Sequence, residues 1–162
     1  MTHHVPETEA TRTGGPVPGG SSGRMTRDDD ERPGRLIRPL EPARDFDSPL
    51  HSQGALVVGA DRLAFVSGQV GVRPGGSMGA DLTEQTLIAF ENVERVLAEA
   101  DLGMPDVASL RIYLTSHDAI PEFTETARGC LCGHRPASTL LVVEHLANTA
   151  LLVQVEAIAA GR

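Results

Sequence analysis

Residues 81–114 read DLTEQTLIAFENVERVLAEADLGMPDVASLRIYL, a stretch whose apolar period changes from helix to strand. Between Asp81 and Ala100, residues Leu87, Phe90, Val93, Val96 and Leu97 recur every three or four positions, the spacing of one apolar helical stripe. Glu84, Glu91, Glu94, Arg95 and Glu99 mark the wet side. Asp81 with Glu84 makes a capping-box-like start, in which side-chain oxygens satisfy N–H groups that the first turn leaves without partners. Gly103 is the expected terminator, and Val107–Leu114 (VASLRIYL) then reads as a strand.

Upstream lie two strand-like runs, Gly54–Val58 (GALVV) and Arg62–Val66 (RLAFV), the second extended by Ser67–Val72 (SGQVGV). Gly59-Ala60-Asp61 between them has turn chemistry, so the pair is expected to form a hairpin. Downstream, His117-Asp118-Ala119-Ile120-Pro121 opens a shorter helix; proline is tolerated there because its missing N–H has no intrahelical partner anyway. Pro136 is expected to end that unit. Two last strands, Thr139–Val143 and Leu151–Ala159, are joined by a turn at Ala147-Asn148-Thr149. The order is β-β-α-β-α-β-β, and hairpin-paired strands with two helices packed on one face of a mixed sheet define an α+β fold. A doubly wound nucleotide-binding pattern is not present.

The chain has 162 residues, enough for one domain with an extension. Residues 1–33 hold five Gly and four Pro but no Leu, Ile, Phe or Tyr, so burial there cannot offset ordering entropy. They are expected to form a disordered tail, with residues 34–162 as the domain. The GGSSG within the tail is not followed by the Gly-Lys-Ser/Thr of a phosphate loop. A net charge of −8 and an aromatic content of 3% argue against a nucleic-acid partner, which calls for basic patches and stacking rings. No apolar run approaches the roughly 18–20 residues that span a bilayer, and no secretory signal is read at the start. Cys130 and Cys132 are too close in sequence to staple distant segments, so reduced thiols and a cytoplasmic location are expected.

Six segments in order carry a resemblance: PLHSQG (49–54), FVSGQVGV (65–72), FENVERVLAEADL (90–102), VASLRIYLTS (107–116), RPAST (135–139) and VQVEAIA (153–159). The ordered set resembles the Rid family of reactive intermediate deaminases, also known as YjgF-like or endoribonuclease L-PSP-like proteins. The resemblance implies a chorismate-mutase-like fold and a homotrimer with small-molecule pockets at the subunit interfaces. It implies hydrolysis of imines or enamines and no cofactor. Deaminase-type members bind the substrate carboxylate with an arginine after Pro-Ala, handle water with a glutamate and close the pocket with a tyrosine. Here those positions hold Ser138, Gln154 and His51, and the family's cysteine two residues after the arginine is Leu140.

Serine removes a fixed charge, and a carboxylate buried opposite it would be short of its partner by several kcal/mol. Gln154 keeps hydrogen bonding but not proton transfer. His51 introduces a group whose ordinary pKa, about 6.5, suits acid–base work near neutrality. The expected site therefore has His51, Gln154 and Glu156 in catalytic roles and Ser67, Gly68, Ser138 and Leu140 against the substrate. Strand alternation places Ser138, Leu140 and Val142 on one face and puts Gln154 and Glu156 together, about 7 Å apart. His51, Ser138 and Gln154 are expected to converge at a pocket between subunits, with Glu156 one step deeper. The plainer alternatives are a loop histidine at 51, hydrogen-bonding pocket lining at 138 and 154, and a structural carboxylate at 156. No GxSxG elbow supports a serine nucleophile. Cys130, Cys132 and His134 supply only three donors, with the cysteines on nearly opposite sides of a helix, so no metal is expected.

The leading function is a divergent small-molecule enzyme acting on an imine, enamine or similar reactive intermediate, within a biosynthetic pathway, through a neutral pocket. The alternatives are a non-catalytic trimeric ligand-binding module and, third, a ribonuclease or translation inhibitor.

Overall fold

The structure is a computed structural model that describes residues 36–42 and 48–162; the tail expected over residues 1–33 lies outside the described residues. Among the described residues there are six strands, β1 (Ile37–Leu40), β2 (Gly54–Val57), β3 (Arg62–Val70), β4 (Val107–Leu114), β5 (Ala137–Val142) and β6 (Val153–Gly161), with helix α1 (Leu82–Ala98) after β3 and helix α2 (Ile120–Leu131) after β4. The α+β class stands, with one strand more than the expected order because IRPL at residues 37–40 forms β1.

Helix α1 begins as its residues dictate. Asp81 accepts from the Glu84 N–H at 2.8 Å, while Glu84 accepts from the Ala80 N–H at 2.7 Å and from Arg73 at 2.6 Å. The Ala80 N–H, followed by Arg73, holds the Glu84 carboxyl below its usual range. The buried stripe is shifted from the expected one: Ile88, Ala89, Phe90, Val93 and Leu97 face the sheet, whereas Leu87 and Val96 are exposed. The helix stops at Ala98, and Asp101 at φ 52° reverses the chain, so Gly103 is not the terminator. Gly103 instead starts a 3-10 turn, donating its N–H to Asp106. Helix α2 carries Pro121 in its first turn as expected, but it ends at Cys132 (φ 47°) and Gly133 (φ 83°), ahead of Pro136.

The main sheet has the order β3-β6-β4-β5, with β6 antiparallel to both neighbours and β5 parallel to β4. Neither expected hairpin forms. β2 pairs with β1 in a separate two-stranded ribbon, and β5 and β6 are separated by β4. Gly59-Ala60-Asp61 does turn the chain, but it turns it onto β6, through the Asp61 N–H donating to the Gly161 carbonyl. β6 takes an interior position because Val153, Val155, Ala157 and Ala159 are all buried against the helical layer. The ribbon packs Ile37 against Ala108 and Ala160, and Ser52 joins it to the edge of β5 by donating its N–H to Pro136.

Two side-chain amides, one half-buried and one buried, hold the connections in place. Asn92 donates to the carbonyls of Val70 and Val72, fixing the chain as it leaves β3. Gln85, 2% exposed, donates to Gly79 and Ala150 and accepts from the Leu152 N–H. A β-carbon at Gly71 would lie 2.3 Å from that of Gln85, so the glycine permits this approach. Gln85→Leu leaves the buried Gly79 carbonyl and the Leu152 N–H without this partner, and a loss of about 1–3 kcal/mol is expected, read as a lower midpoint in urea denaturation.

Candidate functional site

Register decides which side chains meet. Ser138 pairs with Leu110 and Leu140 with Ile112, so both project to the helical side of the sheet, as the alternation predicted. There, with His51, Leu50 and Phe123, they line a cavity of about 80 Å³ beneath α2. The His51 ring is oriented by Ser48, whose Oγ lies 2.7 Å from Nδ1 and also accepts from the Leu50 N–H. The histidine's own carbonyl accepts from Arg135, which pairs with Glu41 at 3.2 Å. Ser138 Oγ donates to the Pro136 carbonyl at 3.3 Å. The cavity wall is thus apolar, with one imidazole and one hydroxyl as its polar elements.

Gln154 and Glu156 share a face, as expected, but it is the opposite one. They pair with Tyr113 and Arg111, whose side chains leave the helical layer. Within one chain, therefore, Gln154 does not join His51 and Ser138, nor does Glu156 lie deeper in their cavity. The two groups occupy the two sides of a single sheet.

On the open side a second constellation forms. β3 carries a bulge between Val66 and Gln69, which places the extra residue at Ser67-Gly68. A bulge bends a strand locally and redirects its side chains. Gln154 pairs with Val70, and its side chain lies over Gly68: a β-carbon there would fall 2.4 Å from Gln154 Nε2. Ser67, Gly68 and Glu156 line an open cavity of about 320 Å³ together with Ser109 and Arg111. Arg111 approaches Glu156 at 3.9 Å. Arg111 and Ser109 were not foreseen as site residues. Their signal was present as polar residues two apart in an otherwise apolar strand, but only the pairing with β6 shows what they face.

The comparisons with known proteins agree with this architecture. The sequence model described as endoribonuclease L-PSP matches residues 49–161. The chain belongs to the endoribonuclease L-PSP family. A RutC family protein of Pyrococcus abyssi is 30% identical over 97 residues, covering 59% of this chain and 76% of that protein. The mitochondrial protein mmf2 of Schizosaccharomyces pombe is 29% identical over 100 residues, covering 60% of this chain and 79% of that protein. Among solved structures, the Rid protein YyfB of Yersinia pestis superposes with a TM-score of 0.71 at 26% identity, covering 78% of this chain and 99% of the other.

Membership in the L-PSP family accounts for the ordered motifs. Asn92 of the ENV segment ties α1 to the end of β3. The RPA segment brings β5 alongside β4 and sets Ser138 facing the cavity.

The Cys130–His134 segment stands apart from both constellations. His134 Nε2 donates to the Val107 carbonyl at 2.6 Å, and no group of three His, Cys, Asp or Glu side chains among the described residues is arranged to hold a metal ion. Burial, then the neighbouring Cys132, raises the Cys130 thiol above its usual range. Cys132 is exposed at the helix end. Among the described residues no helix is long and apolar enough to cross a membrane. A thiol-specific disulfide reagent at mildly alkaline pH is expected to modify Cys132 first, with Cys130 several-fold slower; peptide mapping of partly labelled protein reads the order.

Proposed function

We propose that this chain is a divergent Rid-type enzyme acting on a small imine, enamine or related reactive intermediate, in a pocket completed between the subunits of a homotrimer. The observation that carries this reading is the division of the site. The His51–Ser138–Leu140 cavity and the Ser67–Gly68–Gln154–Glu156 surface lie on opposite faces of one sheet, so only a second copy can bring one against the other. The open face also carries Phe65 at 73%, Leu63 at 60% and Leu141 at 50% exposure. Apolar side chains grouped in this way mark an interaction surface. Phe65→Glu is expected to convert a particle of three chains into one, read by light scattering after gel filtration.

In this reading His51 transfers the proton, its ring oriented through Nδ1 by Ser48. Ser138 and Gln154 orient substrate or water by hydrogen bonding, and Glu156 lies next to them on the second wall. Leu140 and its neighbours keep the reacting end dry. The Ser138 wall offers no guanidinium, so simple 2-imino acids are poor substrates. The chain acts in the cytoplasm, within a biosynthetic pathway whose chemistry releases such intermediates. A trimeric ligand-binding module without turnover is the second reading, favoured by glutamine in place of an acid at 154. Net charge of −8 disfavours the ribonuclease reading that the family's description suggests.

Two measurements test the enzymatic reading. Simple 2-imino acids generated in situ are expected to be hydrolysed little faster than without protein. On any imine or enamine that is turned over, His51→Ala is expected to lower kcat/KM about 100-fold. Unchanged activity in that variant would refute the role given to His51.

A further inference from the structure

Cys130 and Cys132 are the chain's two cysteines, and neither lines the cavities around His51 or Glu156. Helical spacing holds residues two apart on nearly opposite sides, but Cys132 lies past the end of α2. Its φ is 47°, in the left-handed region that strains a residue with a β-carbon, and Gly133 follows at φ 83°. The chain is anchored on both sides of this link. Leu131 belongs to the buried core, and the His134 ring donates to the Val107 carbonyl at 2.6 Å. Both cysteines line one open cavity of about 640 Å³, together with Ile37, Met104 and Glu94. Across a helical residue such as Leu131, the flanking Cα atoms are about 5.4 Å apart. That lies within the roughly 4.4–6.8 Å that a disulfide spans. Leu131 also connects the pair to the candidate site. It stands between the cysteines in sequence, is 4% exposed, and lines both their cavity and the one beneath α2 that holds His51 and Ser138.

We propose that Cys130 and Cys132 form a dithiol site that exchanges with small soluble disulfides, and that its closure draws Leu131 from the wall of the His51 cavity. Cys132, the exposed member, reacts first. Its thiolate attacks one sulfur of the small disulfide, that S–S bond breaks, and one small thiol leaves carrying the proton. Cys130, half-buried, then attacks the Cys132 sulfur; the mixed disulfide breaks and a second small thiol leaves. The pair gives up two protons and two electrons, and the small disulfide takes them up. Burial holds the Cys130 thiol above its usual range, which leaves the first attack to Cys132. Closure is slower than capture, because the last turn of α2 must open before the two sulfurs face each other.

The test exposes the full chain to oxidised glutathione and follows intact mass, peptide maps and leucine methyl signals by NMR. The unaltered protein is expected to gain one glutathione and then lose it, ending two hydrogens lighter with Cys130 and Cys132 bridged within one chain. Cys130→Ser is expected to stop at the glutathione adduct, and Cys132→Ser to react about tenfold more slowly. On closure the methyl signals of Leu131 and Leu140 are expected to shift, and a thiol reductant to restore them. Should either serine variant fail to fold, the unaltered protein decides through the position of its bridge and its methyl signals. A lasting adduct on the unaltered protein, no reaction, or a bridge between chains overturns the proposal. So does a bridge within one chain that leaves the Leu131 and Leu140 signals in place, or Cys132→Ser reacting as fast as the unaltered protein. No readout needs turnover, so the dithiol site stands or falls apart from the imine chemistry at His51.

Discussion

The pairing of β4 with β6 on one side and β5 on the other is the constraint on which the remaining structure depends. A strand presents alternate residues to opposite faces, so once β4 directs Leu110, Ile112 and Leu114 into the helical layer, register assigns the neighbours. Ser138 and Leu140 follow Leu110 and Ile112 inward; Gln154 and Glu156 follow Tyr113 and Arg111 outward. A slip of one residue in either pairing would exchange these sets and expose the apolar one. The division of the candidate site is thus a direct consequence of burying the core.

The packing of α1 secures that arrangement. Phe90, Val93 and Leu97 seal the sheet, and Phe90 stacks on Phe123 of α2 with ring centroids 6.4 Å apart. Gln85 and Asn92 sit at the margin of this layer and donate to the carbonyls of Gly79, Ala150, Val70 and Val72, where the chain enters and leaves it. Gly71 and Gly79 keep their backbones close enough for Gln85 to reach. The same close approach fixes the start of β6 through Leu152, so the amide helps set the strand that carries Gln154 and Glu156.

Chemically, the two faces differ. The helical-side cavity is small and apolar, and its polar equipment is an imidazole positioned by Ser48 and a hydroxyl bound to its own strand. The open face is larger and carries charge of both signs, in Arg111 and Glu156, that the fold itself uses only loosely.

Local order was legible in the residues themselves: the capping of α1 by Asp81 and Glu84, Pro121 in the first turn of α2, and the two-residue alternation of β4, β5 and β6. The α+β class, the family resemblance and the sharing of a face by Gln154 with Glu156 could be read at that level, because each depends on spacing along the chain. Partnership could not. Gly59-Ala60-Asp61 specifies that the chain turns, but not that β3 then pairs with β6; an apolar stripe that includes Leu87 looks as good locally as one that includes Ile88. Those choices rest on burial shared between segments far apart in sequence. Only the tertiary structure could show that His51 and Ser138 lie on one side of the sheet, and Gln154, Glu156 and Arg111 on the other.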